Sequence, residues 1–152
     1  MSKPWVAVVY SSLLIAACAT PYVPPKDGPT ATLRLGGLLG SKGSTAYFLM
    51  DNAESCTETA KLAYGLKAGD ANTVTVRADA PLVVEIGYSQ LDSLAICRTS
   101  FAFTPESGAI YFLRLDEAYF FFQKACVPMV QKRFDEKRNT AVPFRRVCAP
   151  NK

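Results

Sequence analysis

From residue 30 onward, apolar and polar positions alternate with a period of two, as expected of strands that turn one face to a core. Residues 30–35 alternate small or polar with apolar and run into Gly36-Gly37. Residues 44–50 form the next strand candidate, and residues 72–77 place Val74 and Val76 on one face. Residues 81–88 carry Leu82-Val83-Val84 and Ile86, and residues 95–103 align Phe101 with Phe103. In residues 109–115, Ile110, Phe112 and Arg114 oppose Tyr111, Leu113 and Leu115. Residues 119–130 and 142–147 complete the set. β-Branched and aromatic residues are frequent in these runs, as a pleated surface favours. Only residues 51–66 have helical character, with Asp51 or Asn52 placed as an N-cap and Glu54 in the first turn. The same stretch reads equally as a loop and a short strand. Short strands at this spacing predict an all-β domain over residues 30–152, an antiparallel β-sandwich with at most one short helix.

The chain before residue 30 follows other rules. Residues 1–17 have a weakly positive start at Lys3, an apolar run from Val6 to Ile15 broken by Ser11-Ser12, and small residues at the end. The run is shorter than the ~20 apolar residues a spanning helix needs, and it reads as a processing signal. The order Leu14-Ile15-Ala16-Ala17-Cys18 resembles a bacterial lipobox. The resemblance implies cleavage between Ala17 and Cys18, a diacylglycerol on the Cys18 sulfur and usually an acyl group, palmitate for example, on the new amino group. The thin basic start, with one Lys and a Pro-Trp pair, departs from the usual pattern. An ordinary signal peptide or a buried strand is the alternative. Two or more acyl chains anchor a protein stably where one does not. Ala19 stands where an Asp often signals inner-membrane retention, so the resemblance implies the outer membrane, facing the periplasm. Residues 18–29 hold Pro21, Pro24, Pro25 and Pro29. Such a segment stays extended at about 3.1 Å per residue and reads as a tether of roughly 30 Å.

With Cys18 set aside, Cys56, Cys97, Cys126 and Cys148 remain. An even count in an exported chain implies two disulfides. No pair forms C-x-x-C, which argues against a zinc ribbon or a thioredoxin-type site. Four cysteines allow three pairings. Cys56–Cys97 with Cys126–Cys148 is favoured because it closes two separate loops; free buried thiols are the alternative.

Phe101-x-Phe103-x-Pro105, followed by Ser107-Gly108 and Ala109-Ile110-Tyr111-Phe112, resembles a hairpin of small β-sandwich envelope lipoproteins without an assigned activity. It supports a sandwich of immunoglobulin or transthyretin-like kind and leaves function open.

The chain has 152 residues, 49% apolar and 20% charged, enough for one ordinary domain and unlike a disordered chain. Histidine is absent, which removes the commonest general base and every Ser-His or Cys-His pair. Gly36 to Ser44 is Gly-rich, but Ser41 stands where a P-loop needs Gly, so it reads as a flexible turn. No G-x-S-x-G or S-x-x-K occurs, and no Ca²⁺ loop. Asp51, Glu54, Glu58 and Glu85 read as solvated charge, and Asp116-Glu117 as a turn after a strand. No catalytic, cofactor or metal residue is therefore assigned. Tyr119-Phe120-Phe121-Phe122 reads as a doubly buried strand, or else as an exposed partner face. Lys124, Lys132, Arg133, Lys137, Arg138, Arg145, Arg146 and Lys152 make the last stretch basic. It reads as a solvated face, or else as a surface for anionic material. Without Lys3 the formal net charge falls from +4 to +3, too small to argue for nucleic acid.

These readings lead to a non-enzymatic protein held to the membrane by lipid at Cys18. It would bind a protein or peptidoglycan partner in an accessory or structural role. The alternative is a periplasmic inhibitor or immunity protein against a cell-wall or lipid hydrolase, acting through a protruding loop at residues 36–44 or 131–141.

Overall fold

Alternation of side chains across pleated strands sets the architecture. The computed structural model describes residues 20–39, 42–90, 93–120 and 123–148. Residues 1–17, Cys18, Ala19, Gly40-Ser41, Phe121-Phe122 and Lys152 lie outside these, and so do the expectations attached to them. Among the described residues there are ten strands and no helix. They are β1 (Thr30–Gly36), β2 (Ser44–Met50), β3 (Glu58–Leu66), β4 (Ala71–Arg77) and β5 (Leu82–Gln90). Then follow β6 (Ser93–Phe103), β7 (Ile110–Phe120), β8 (Gln123–Arg133), β9 (Asn139–Ala141) and β10 (Arg145–Val147).

The strands form two five-stranded sheets that pack together in a sandwich-like arrangement. The first has the order β4-β1-β7-β8-β9, the second β10-β6-β5-β2-β3. The inward rows meet between them: Leu33, Leu35, Tyr111, Leu113 and Leu115 from the first sheet, Tyr47, Val84, Ile86, Phe101 and Phe103 from the second. Full burial of a large apolar side chain contributes about 1.5–3 kcal/mol, so these rows hold the layers together. Phe103 and Tyr111 meet across the interlayer at 5.3 Å between centroids. Tyr47 adds a polar tie. Its ring is fully buried, and its hydroxyl is shared between the carbonyls of Gly36 (2.6 Å) and Leu113 (3.0 Å) on the opposite sheet. Burial pushes this hydroxyl far above the ordinary tyrosine range, against the pull of its bond to Gly36.

Three expectations are corrected, and residues 51–66 take the second of their two readings, a loop and then a strand. Pairing is not wholly antiparallel: β1 runs parallel to β7, with Thr32 opposite Ile110 and Leu35 opposite Leu113. A parallel pair needs a long connection, which the passage through β2–β6 supplies. Residues 51–66 form no helix. Asn52 accepts the amides of Glu54 and Ser55, each at 2.8 Å, and Asp51 accepts that of Thr57 at 3.0 Å. These side chains close a turn instead of capping a helix, and β3 pairs with β2. The Ser55 hydroxyl, then the neighbouring amides, hold the Asp51 carboxyl below its ordinary pKa. Residues 119–130 are not one strand: β7 ends at Phe120 and β8 starts at Gln123. Residues 142–147 are not one strand either. Residues 142–144 cross between the sheets, with Val142 bonded to Val130 at 2.9 Å and Phe144 packed on Phe101.

The four cysteines form two disulfides, but not in the favoured pairing. Cys56 joins Cys148 (Cα–Cα 5.6 Å), and Cys97 joins Cys126 (6.0 Å). Distance along the chain misled, because strand order sets the neighbours. Cys97 on β6 meets Cys126 on β8 across the two sheets. Cys56 lies in the turn between β2 and β3, and the bond ties that turn to the residue after β10.

Residues 20–29, read as a tether, are tied to the domain at both ends. Pro21 forms a parallel bridge with Lys61 on β3. The Lys61 amide donates to the Thr20 carbonyl (2.9 Å), and the Tyr22 amide to the Lys61 carbonyl (3.2 Å). The Tyr22 hydroxyl donates to the Thr75 carbonyl on β4 at 2.9 Å. Partial burial raises its pKa, against the nearby charge of Arg77. At the other end the Ala78 amide donates to the Pro29 carbonyl at 2.9 Å.

Candidate functional site

The outward face of the first sheet gathers arginines around one aromatic ring. Alternation in β1 sends Leu33 and Leu35 inward and leaves Arg34 exposed. Alternation in β7 buries Tyr111, Leu113 and Leu115 and turns Phe112, Arg114 and Asp116 outward. The pairing registers then align one row across the sheet. Thr73, Arg34, Phe112, Gln131 and Ala141 are successive partners on β4, β1, β7, β8 and β9. Arg133 lies two residues beyond Gln131, on the same face of β8.

Phe112 sits between two guanidinium groups, Arg34 at 5.6 Å from its ring centroid and Arg133 at 5.4 Å. Each such contact is worth about 0.5–1 kcal/mol at an exposed site. It holds the arginine over the ring and leaves its N–H groups open to a ligand. Arg34 and Arg133 form no ion pair among the described residues. Arg114 stands beside them. Its Nε is buried with no hydrogen-bond acceptor and lies 3.4 Å from Asp116 Oδ1. Arg34, Phe112 and Arg114 line a hollow of about 270 Å³ together with Gln131 and Asn139; Arg133 stands outside it. Guanidinium N–H groups, an amide and an aromatic ring suit a carboxylate or phosphate attached to an apolar body. Nothing in this set is a nucleophile or a general base.

The outer face of the second sheet is organised differently. Glu85 on β5 and Ser100 on β6 are register partners. Arg98 pairs with Glu85 at 2.7 Å, and the Ser100 hydroxyl donates to the same carboxylate at 3.1 Å. A hollow of about 350 Å³ adjoins them, also bordered by Arg146. Arg98 is already neutralised by Glu85, and Arg146 forms no ion pair among the described residues.

The other residues singled out from the sequence scatter. Asp51 and Glu54 lie in the turn after β2, Glu58 starts β3 and Glu85 is spent on Arg98. Asp116-Glu117 lies within β7 and not in a turn. Among the described residues no three His, Cys, Asp or Glu side chains come together as metal ligands. Of the Gly-rich segment 36–44, Gly40 and Ser41 lie outside the described residues. A Cβ on Gly37 would fall on the Lys67 carbonyl, and one on Gly43 on the Ser89 carbonyl. These glycines permit close backbone contacts. In the 131–141 segment, Arg133 belongs to the arginine face and Lys132 pairs with Glu106 instead. Arg138 pairs with Asp135 at 2.7 Å. Hydrogen bonds from the Lys137 amide and the Arg138 side chain hold the Asp135 carboxyl below its ordinary pKa. Arg34 was missed in the sequence. Its signal was there, a lone charge on the polar side of the first alternating run, but the ring it stacks on is distant in sequence.

No protein-family model, curated protein or solved structure matches this chain.

Proposed function

We propose that this chain is a lipid-anchored protein of the bacterial envelope. Residues 1–17 are removed and Cys18 is acylated, and the domain from residue 30 binds an anionic envelope component without catalysing a reaction. The observation that carries the reading is the row on the first sheet, where Arg34 and Arg133 flank Phe112 and Arg114 completes the hollow. The lipobox-like Leu14-Ile15-Ala16-Ala17-Cys18 and the two disulfides support an exported location. The partner is a protein with exposed carboxylates or the peptidoglycan itself, and the outer membrane facing the periplasm is the site of action. The sandwich is of immunoglobulin or transthyretin-like kind on this reading; a disulfide between the two sheets, as Cys97–Cys126 is, supports it.

The test is photocrosslinking in intact cells from a photoreactive analogue at Phe112, with and without Arg34→Glu and Arg133→Glu. A discrete adduct that the charge reversals abolish supports the reading. An adduct that survives them overturns it.

One observation favours the second reading, an inhibitor or immunity protein against a cell-wall or lipid hydrolase. The turn after β8 exposes Phe134 at 70% and holds it through the Asp135–Arg138 pair, with Arg138 at 5.3 Å from its ring. An exposed apolar tip suits insertion into a cleft. A hydrolase adduct formed from a photoreactive analogue at Phe134, with none from Phe112, would identify that mode.

A further inference from the structure

We propose that residues 20–22 act as a strap that holds the domain down on the bilayer, β3 edge toward the lipid, and do not serve as a free stalk. The inference rests on the lipid anchor at Cys18 proposed above.

A free Pro-rich segment would place the domain roughly 30 Å from the membrane. Here the segment is fixed where it begins. The Thr20 carbonyl accepts from Lys61 at 2.9 Å, the Tyr22 amide donates back at 3.2 Å, and the Tyr22 hydroxyl reaches Thr75 at 2.9 Å. β3 is the edge of the second sheet and β4 the edge of the first. The strap therefore joins the edges of both sheets on one side of the sandwich. Only two residue steps separate Cys18 from Thr20, which span at most about 7 Å. Acyl chains buried in the bilayer leave the β3 edge no room to stand further off.

The surface at that edge suits a headgroup layer. Tyr64 on β3 is 71% exposed, and the Lys61 ammonium lies 4.8 Å from its ring. Val23, next to the strap, is 72% exposed. Tyrosine and lysine settle at membrane interfaces, ring toward the acyl boundary and charge toward phosphate. Phe134 is as exposed as Tyr64, but it follows β8, near the edge opposite β4. It serves as an internal control.

The experiment expresses the full-length precursor in bacteria with a photoreactive phenylalanine analogue at Tyr64 or at Phe134. After irradiation, phospholipid adducts on each tryptic peptide are measured by mass. The strap predicts at least about tenfold more adduct at Tyr64, because Phe134 follows β8, three strand spacings from the β4 edge, and at ~4.8 Å per spacing that is roughly 14 Å, beyond the reach of a photoreactive side chain. Inserting about ten Gly/Ser residues between Ala19 and Thr20 leaves the strap bonds alone and adds roughly 17 Å of slack. The Tyr64 adduct should then fall toward the Phe134 level. Tyr22→Pro, which removes both the amide and the hydroxyl donor, should do the same. Equal adducts at both positions in a chain that carries acyl mass would overturn the strap and leave the anchor standing. A chain without acyl mass at Cys18 would overturn both, and intact mass separates the two failures.

Discussion

Replacing Tyr47 by Phe removes one oxygen from the middle of the molecule and nothing else. The ring is fully buried, so the packing around it is kept. What is lost is a donor shared by two carbonyls, Gly36 at 2.6 Å and Leu113 at 3.0 Å, both on the facing sheet. A typical hydrogen bond contributes about 0.5–1.5 kcal/mol net, and leaving a buried polar group without its partner costs about 1–3 kcal/mol. The short Gly36 bond and its burial place the loss at about 1–3 kcal/mol. At roughly 3–4 °C per kcal/mol for a domain of this size, the melting temperature should fall by about 3–12 °C. The assay is thermal unfolding by circular dichroism with the disulfides intact, repeated in urea to confirm an unchanged slope. Tyr88→Phe is the control. That ring is buried too, but among the described residues its hydroxyl meets only the Gln90 side chain, at 3.2 Å. A Tyr47→Phe loss below about 0.5 kcal/mol, or no larger than the control's, would refute the interlayer role of the hydroxyl.

Further predictions follow from other contacts. A non-reducing peptide map should join Cys56 to Cys148 and Cys97 to Cys126; any Cys56–Cys97 peptide would contradict the strand order. The bridged residues are 92 and 29 apart, so in the chain-entropy model removing either pair by double Ala substitution costs about 4–5 and about 3–4 kcal/mol. Gly37→Ala drives a Cβ into the Lys67 carbonyl, and overpacking of this kind costs about 1–3 kcal/mol, read as a lower urea midpoint. The carboxyls of Asp51 and Asp135 are held below their ordinary values. The turns they close are therefore fully stabilised above the unfolded pKa of about 3.9 and lose that support as pH falls through the lowered values. Amide shifts of Thr57 and Lys137 should titrate below about pH 3.9; midpoints above it would contradict the bonding.

Strand positions were legible because alternation is a local signal. Residues 44–50 were read with the same bounds as β2, and the reading of residues 30–35 and 72–77 differs from β1 and β4 by one residue each. Signals that needed partners were not legible. Asp51 and Asn52 have the chemistry of a cap, and only pairing with β2 decides that a strand follows. The break between β7 and β8 falls inside the run from Tyr119 to Phe122, where no Gly or Pro marks a turn. Disulfide pairing depends on which strands face each other, and that is set by sheet order. The same holds for the arginine face. Phe112 and Arg114 were seen to share a side, but Arg34 reaches them only through the parallel pairing of β1 with β7.

The central claim is an anchored, disulfide-bonded domain in the envelope. The most direct test is the intact mass of the membrane-extracted protein, with and without reduction before alkylation. The account predicts loss of residues 1–17, added acyl mass on the remaining chain, and four cysteines that alkylate only after reduction. A full-length chain without acyl mass, with thiols that alkylate before reduction, would contradict it.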